Sequence, residues 1–126
     1  MAEYNYQNVS PARHTLTGTV GQFLCVDQAG LVTDDEPDIT FGISLISGGS
    51  GDVIPVQQFG VAKITASAAI SAGAEVMATA SGAGKISTLS GATSRGIGVA
   101  LTASLADGDV IEVQLKPLPN VLNTTA

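Results

Sequence analysis

One cysteine, one histidine and no tryptophan stand among the 126 residues, and each scarcity closes off a class of function. With Cys25 alone, no disulfide forms within the chain, which removes the disulfide-stapled secreted scaffolds. The same scarcity, with His14 as the one imidazole, leaves no set of thiolates and imidazoles able to close a zinc site. Basic residues number 5 against 11 acidic ones, for a net charge of −6. A phosphate backbone is repelled across most of such a surface, so direct nucleic-acid binding is not expected. No apolar run approaches the ~20 residues that cross a bilayer as a helix, and no membrane partner is expected. The opening Met1-Ala2-Glu3-Tyr4-Asn5-Tyr6 lacks the basic start and apolar stretch of a secretory signal, which points to a product made soluble in a cytoplasm.

What is present is a modest stock of small apolar residues. The hydrophobic fraction is 44%, much of it Ala and Val, and only 4% of residues are aromatic. One domain fits the length. Its core is expected to be thin, because a chain of this size buries about two-thirds of its unfolded surface. Small side chains also contribute less apolar area each, at roughly 25 cal/mol per Å². Association with other copies or with a partner would add burial that the isolated domain lacks.

From Leu16 onward the texture is one of short β-type runs separated by Gly, Ser, Asp and Asn, the pattern of an all-β domain, a small barrel or sandwich of short strands. The runs are Gln22 to Asp27, Leu31 to Thr33, Thr40 to Ile46, Asp52 to Phe59, Gly60 to Thr65, Glu75 to Thr79, Lys85 to Thr88, Gly96 to Leu101 and Asp109 to Leu115. Alternation is clearest in the last, where Ile111, Val113 and Leu115 face one way and Glu112 and Gln114 the other. Ser67 to Glu75 holds enough alanine for a short helix but reads better as a loop entering a strand. Pro117 and Pro119, which cannot donate to a ladder, close the final strand. The domain is therefore expected at 16–116, with an extended N-terminal arm at 1–15 and a loose tail at 117–126.

An internal echo runs through these strands. Gly42-Ile43-Ser44-Leu45 precedes Gly51-Asp52-Val53-Ile54-Pro55-Val56-Gln57, and Gly98-Val99-Ala100-Leu101 precedes Gly108-Asp109-Val110-Ile111-Glu112-Val113-Gln114. The second elements agree at six of seven positions. Two copies of one strand-loop-strand unit are present, with a weaker third instance at Ala72-Gly73-Ala74-Glu75-Val76. Gly51, Gly73 and Gly108 supply the positive φ that reverses the chain, and Asp52 and Asp109 accept backbone N–H groups as the next strand begins. These five residues are turn chemistry.

A search for reactive groups returns little. Cys25 lies in the apolar run Phe23-Leu24-Cys25-Val26 and reads as a buried, inert thiol. His14, beside Arg13, reads as an exposed polar residue. The acidic cluster Asp34-Asp35-Glu36, with Asp38, reads as a solvated loop; a calcium site would need a glycine-turned loop and a distal Glu that are absent. Ser47-Gly48-Gly49-Ser50-Gly51 is glycine-rich but is followed by no Lys-Ser or Lys-Thr and no helix, so it is not a phosphate loop. No catalytic residue, metal or cofactor is expected, and a binding role follows. The arm is the expected contact segment: Tyr4, Tyr6, Val9, Arg13 and His14 include both tyrosines of the chain, and Tyr and Arg are enriched among energetic anchors of interfaces.

Three stretches carry a family resemblance. They are Phe41-Gly42-Ile43-Ser44-Leu45, then Gly60-Val61-Ala62-Lys63-Ile64 leading to Ile70-Ser71-Ala72-Gly73-Ala74-Glu75-Val76, and Gly96-Ile97-Gly98-Val99-Ala100-Leu101 leading to Gly108-Asp109-Val110-Ile111-Glu112-Val113-Gln114-Leu115. Over roughly residues 16 to 116 the chain resembles the capsid decoration or cement proteins of tailed bacteriophages, of the β-tulip type. The resemblance implies a homotrimer on the outside of a phage head, bridging neighbouring copies of the major capsid protein, with a terminal arm joining the shell or an adjacent subunit. It implies a virion component synthesised in the host cytoplasm, and it carries over no invariant site residue.

Other readings remain open at this level. A head-fibre base or a tail-associated β module would look the same in sequence and differ in copies per virion. A small carbohydrate-binding β-sandwich would need aromatic platforms that this chain lacks, and an enzyme would need a cleft that gathers carboxylates with raised pKa values.

Overall fold

The computed structural model describes residues 12–33, 40–79, 84–90 and 96–116. No helix occurs among them, and the all-β expectation holds. The strands are β1 (Ala12–Thr15), β2 (Cys25–Asp27), β3 (Thr40–Ser44), β4 (Val53–Gln57), β5 (Gly60–Thr65), β6 (Glu75–Ala78), β7 (Ile86–Thr88), β8 (Gly96–Ala100) and β9 (Val110–Leu115). The segment between β5 and β6 is a loop, as its glycine and serines indicate. Most of the expected runs come out shorter, the first two among them. Gln22 to Leu24 is held out of β2 because Phe23 takes a left-handed conformation, φ 61°, which ends a strand. Leu31 to Thr33 keeps a single bridge, Val26 to Val32. The acidic cluster at 34–38, the turn residues 81–83, Pro117, Pro119 and the tail lie outside the described residues.

Two antiparallel sheets result, ordered β1-β4-β3-β2 and β5-β9-β8-β6-β7. Leaving out β7, the orders match term by term. The match extends to register: Ser44 pairs with Val56 as Ala100 pairs with Val113, and Ile43 with Gln57 as Val99 with Gln114. Even the irregularity repeats, falling between Val26 and Asp27 in one sheet and between Val76 and Met77 in the other. The loops agree as well. Leu16 N–H donates to Asp52 O at 2.8 Å and Ala66 N–H to Asp109 O at 2.7 Å, while Phe23 N–H donates to Ser44 O and Gly73 N–H to Ala100 O. The echo in the sequence is thus the visible part of a duplication that spans residues 12–57 and 60–115.

Each sheet rolls until its two edges approach without closing into a barrel. In the first, His14 Nε2 lies 3.0 Å from Asp27 O and Thr17 N–H donates to Gly30 O, joining the β1 side to the β2 side. In the second, Ser67 N–H donates to Ile86 O. Rolling gives each copy its own apolar interior. Leu16, Val20, Val26, Ile54 and Val56 fill the first, and their counterparts Ala66, Ile70, Val76, Ile111 and Val113 lie in the second. A buried Val, Ile or Leu contributes about 1.5–3 kcal/mol, so the same five positions anchor both halves. The second core reaches across to Cys25 and Ile43 of the first copy, which welds the halves together.

Candidate functional site

Gly51, Gly73 and Gly108 have φ of 90°, 91° and 97°, a region closed to most side chains. Asp52 Oδ2 accepts the Gly49 N–H at 2.8 Å, and Asp109 Oδ2 accepts those of Leu105 and Ala106 at 2.9 and 3.2 Å. Both carboxylates hold their loops in place.

Of the five contact residues read from the sequence, Tyr4, Tyr6 and Val9 lie outside the described residues. Arg13 and His14 belong to β1, the edge strand of the first sheet, where Arg13 pairs with Pro55 and His14 with Ile54. Arg13 is exposed. His14 is half-buried rather than exposed: its ring stacks on Phe41, with centroids 4.2 Å apart and planes 20° from parallel, while Nε2 meets the Asp27 carbonyl. Stacking and a ring hydrogen bond give it a structural task, clasping the rolled sheet. The signal for this was the alternation Ala12-Arg13-His14-Thr15, whose inward positions are Ala12 and His14.

Reactive chemistry has little to work with among the described residues. Cys25 is fully buried; loss of hydration pushes its thiol up to about 12, against a smaller downward pull from a hydrogen bond with Thr40. A thiol held neutral to that degree is a packing group. No cluster of three metal-ligating side chains exists among the described residues. The two ion pairs found there, Lys85 with Asp107 at 3.0 Å and Lys116 with Glu75, lie at the surface. A shallow crevice between the sheets, lined by Phe41, Ile43, Gln57, Ile97, Leu115 and Lys116 among others, brings no two carboxylates together.

Apolar exposure is the remaining feature. Leu105, at the tip of the loop between β8 and β9, is 87% exposed, and Leu101 and Val110, at the two ends of that loop, are about half exposed. The first copy repeats the theme with Ile46 and Val53. Val53 and Val110 are identical residues at matching positions that face outward, so core packing does not account for them. Period-two alternation already sets Val110 on the face of Glu112 and Gln114, whereas the exposure of Leu101 and Leu105 depends on a loop path that only the fold shows.

The sequence matches a family model described as phage cement protein over residues 9–115. Among solved structures, the head fiber gp8.5 N base in bacteriophage phi29 is similar in fold, with a TM-score of 0.64 over 83% of this chain and 92% of that one, at 11% identity. No curated protein sequence matches the chain.

Proposed function

The chain belongs to the phage cement protein family, and from that premise we propose that it sits as a homotrimer on the outside of a phage head and ties together neighbouring copies of the major capsid protein. The observation that carries this reading is the extent of the family match, which takes in both copies of the duplicated unit and every strand. Membership makes the chain a structural component of the virion.

The physical task suits the molecule. A shell under outward pressure separates along subunit boundaries, and a clamp across those boundaries makes separation cost interface energy. Many modest contacts act together, so avidity holds what no single contact would. If the clamp binds only the expanded shell, it also shifts the shell toward that state. The exposed apolar loops described above and the N-terminal segment with Tyr4, Tyr6, Val9 and Arg13 supply contact groups. His14, occupied by Phe41 and Asp27, contributes by fixing the strand from which that segment departs.

The test is co-sedimentation with empty expanded capsids, using the full chain and a form lacking residues 1–10. The cut stops short of Ala12 because β1 pairs with β4. The full chain is expected to saturate the shells at a fixed ratio and the truncated form to bind more weakly. A full chain that stays in the supernatant overturns the reading. A second reading, a head-fibre base, is favoured by the structural likeness to the phi29 protein. Copies per virion separate the two, since cementing a lattice requires many more copies than anchoring fibres.

A further inference from the structure

The two copies of the unit meet head to tail, and this leaves one half of the same junction open at each end of the chain. Inside the chain, the back of the first copy is its turn at 21–25 and the front of the second is β5 with Gly84. Three backbone hydrogen bonds join them: Thr65 N–H to Phe23 O at 2.9 Å, Cys25 N–H to Gly84 O at 2.8 Å and Gly84 N–H to Thr33 O at 3.1 Å.

By the register of the duplication, Thr15 matches Thr65, Gly73 matches Phe23 and Glu75 matches Cys25. Burial follows the junction rather than the residue position. Phe23 is half-buried and Cys25 buried, whereas Gly73 and Glu75 are exposed; Thr65 is half-buried and Thr15 exposed. Ala62 and Ile64 on β5 are buried where Ala12 and His14 on β1 are only half-buried. Among the described residues, the first copy's front and the second copy's back are therefore less covered than the matching surfaces at the internal junction.

The direction of the groups supports the same point. In an antiparallel ladder, hydrogen-bonded and non-bonded pairs alternate. Leu16 N–H goes to Asp52 O, so Thr15, paired with Val53 one step back, directs its N–H away from β4. Neither Thr15 N–H nor Gly73 C=O has a partner among the described residues. An edge of this kind is a template for pairing with another chain.

We infer that a second copy of this chain docks head to tail, its Gly73 turn against the β1 edge, with Thr15 N–H donating to Gly73 O of the partner in repetition of the Thr65–Phe23 bond. Such an interface joins two different surfaces, so it propagates until rotation closes a ring. The inference rests on the proposal that the protein acts as an oligomer, and it assigns the surfaces that would make one.

The experiment uses the full chain without capsids. Native mass spectrometry and sedimentation are applied to the wild type, Thr15→Ala and Thr15→Pro. Thr15→Ala keeps the N–H and is expected to assemble as the wild type does. Thr15→Pro loses an N–H that pairs with nothing among the described residues, so it is expected to keep the native circular dichroism spectrum and to run as a monomer. A wild type that is monomeric at all concentrations, or a Thr15→Pro form that assembles fully, overturns the inference. Should Thr15→Pro fail to fold, hydrogen exchange on the wild type decides: the Thr15 amide is expected to exchange at least about 100-fold more slowly than an open edge amide, and free exchange refutes the junction. Capsid binding is scored separately, so a monomer that still coats shells sinks the junction while leaving the cement reading intact.

Discussion

Thr102 Oγ1 accepts the backbone N–H of Glu112 at 3.0 Å. The matching positions of the first copy are Ile46 and Pro55, and there the donor is absent instead of satisfied. Both solutions answer one problem. At this step of the hairpin the ladder continues only through the carbonyl, which accepts from Leu45 N–H in one copy and Leu101 N–H in the other. The N–H beside it finds no strand partner. This explains how Pro55 sits in an interior strand, where proline is otherwise excluded.

The pair predicts a non-additive cycle. Thr102→Val is expected to cost about 1 kcal/mol by stranding the Glu112 N–H. Adding Glu112→Pro to Thr102→Val is expected to recover most of that loss, whereas Glu112→Pro alone wastes the hydroxyl. Urea melts of the four proteins measure the coupling, and strict additivity contradicts the account.

Gly98 and Gly42 occupy matching positions but differ in the room they have. A Cβ on Gly98 would lie 2.2 Å from the Gln114 carbonyl oxygen and 2.9 Å from a Val113 methyl; on Gly42 the nearest atoms, Gln57 O and Val56 Cβ, are at 3.0 Å. Backbone in a ladder cannot retreat as a side-chain tip can. Gly98→Ala is expected to destabilise by about 3 kcal/mol and Gly42→Ala by about 1 kcal/mol. Chemical denaturation of the two variants gives the comparison, and equal costs count against it.

Burial of Cys25 ties stability to alkaline pH. The folded thiol sits near 12 and the unfolded one near 9.0, so the folded state keeps the proton longer. The stabilisation is complete below about pH 9 and is lost as pH rises from there toward 12. Between pH 8 and pH 10 the wild type is expected to lose about 1 kcal/mol more than Cys25→Ala, which lacks the thiol. The native thiol is likewise expected to resist alkylation at pH 8 until the protein unfolds.

The strands were legible because their period-two alternation and flanking Gly-Asp turns are local. Gly60 to Thr65 emerges with the same bounds as β5, and β9 differs by one residue at its start. The duplication was legible only where it kept its letters, in the heptapeptides beginning at Gly51 and Gly108. In the front half of each copy the counterparts are Leu16 with Ala66, Phe23 with Gly73 and Cys25 with Glu75. Backbone hydrogen bonds preserve that half, while only scattered identities such as Thr15 with Thr65 and Val26 with Val76 remain in the letters. Phe23 shows the cost of such drift: it holds a positive φ that Gly73 adopts freely. The rolled sheets and the half-buried His14 depend on contacts between opposite edges, which no local pattern encodes.

Leu105 offers the sharpest separation of folding from function. Its side chain is 87% exposed, yet its backbone N–H and that of Ala106 are pinned by Asp109. A leucine held rigid in water gains nothing for the fold, while a rigid apolar anchor loses little entropy on docking. Leu105→Ser is therefore expected to change stability by less than about 0.5 kcal/mol. Asp109→Ala, which releases both N–H groups, is expected to cost about 1–2 kcal/mol by freeing the loop. On expanded capsids both variants are expected to bind more weakly, Leu105→Ser by loss of the anchor and Asp109→Ala by loss of its preorganisation. Thermal melts and co-sedimentation on the same preparations resolve the two quantities. If Leu105→Ser coats shells as well as the wild type, this loop faces solvent in the virion and the contact belongs to the N-terminal segment.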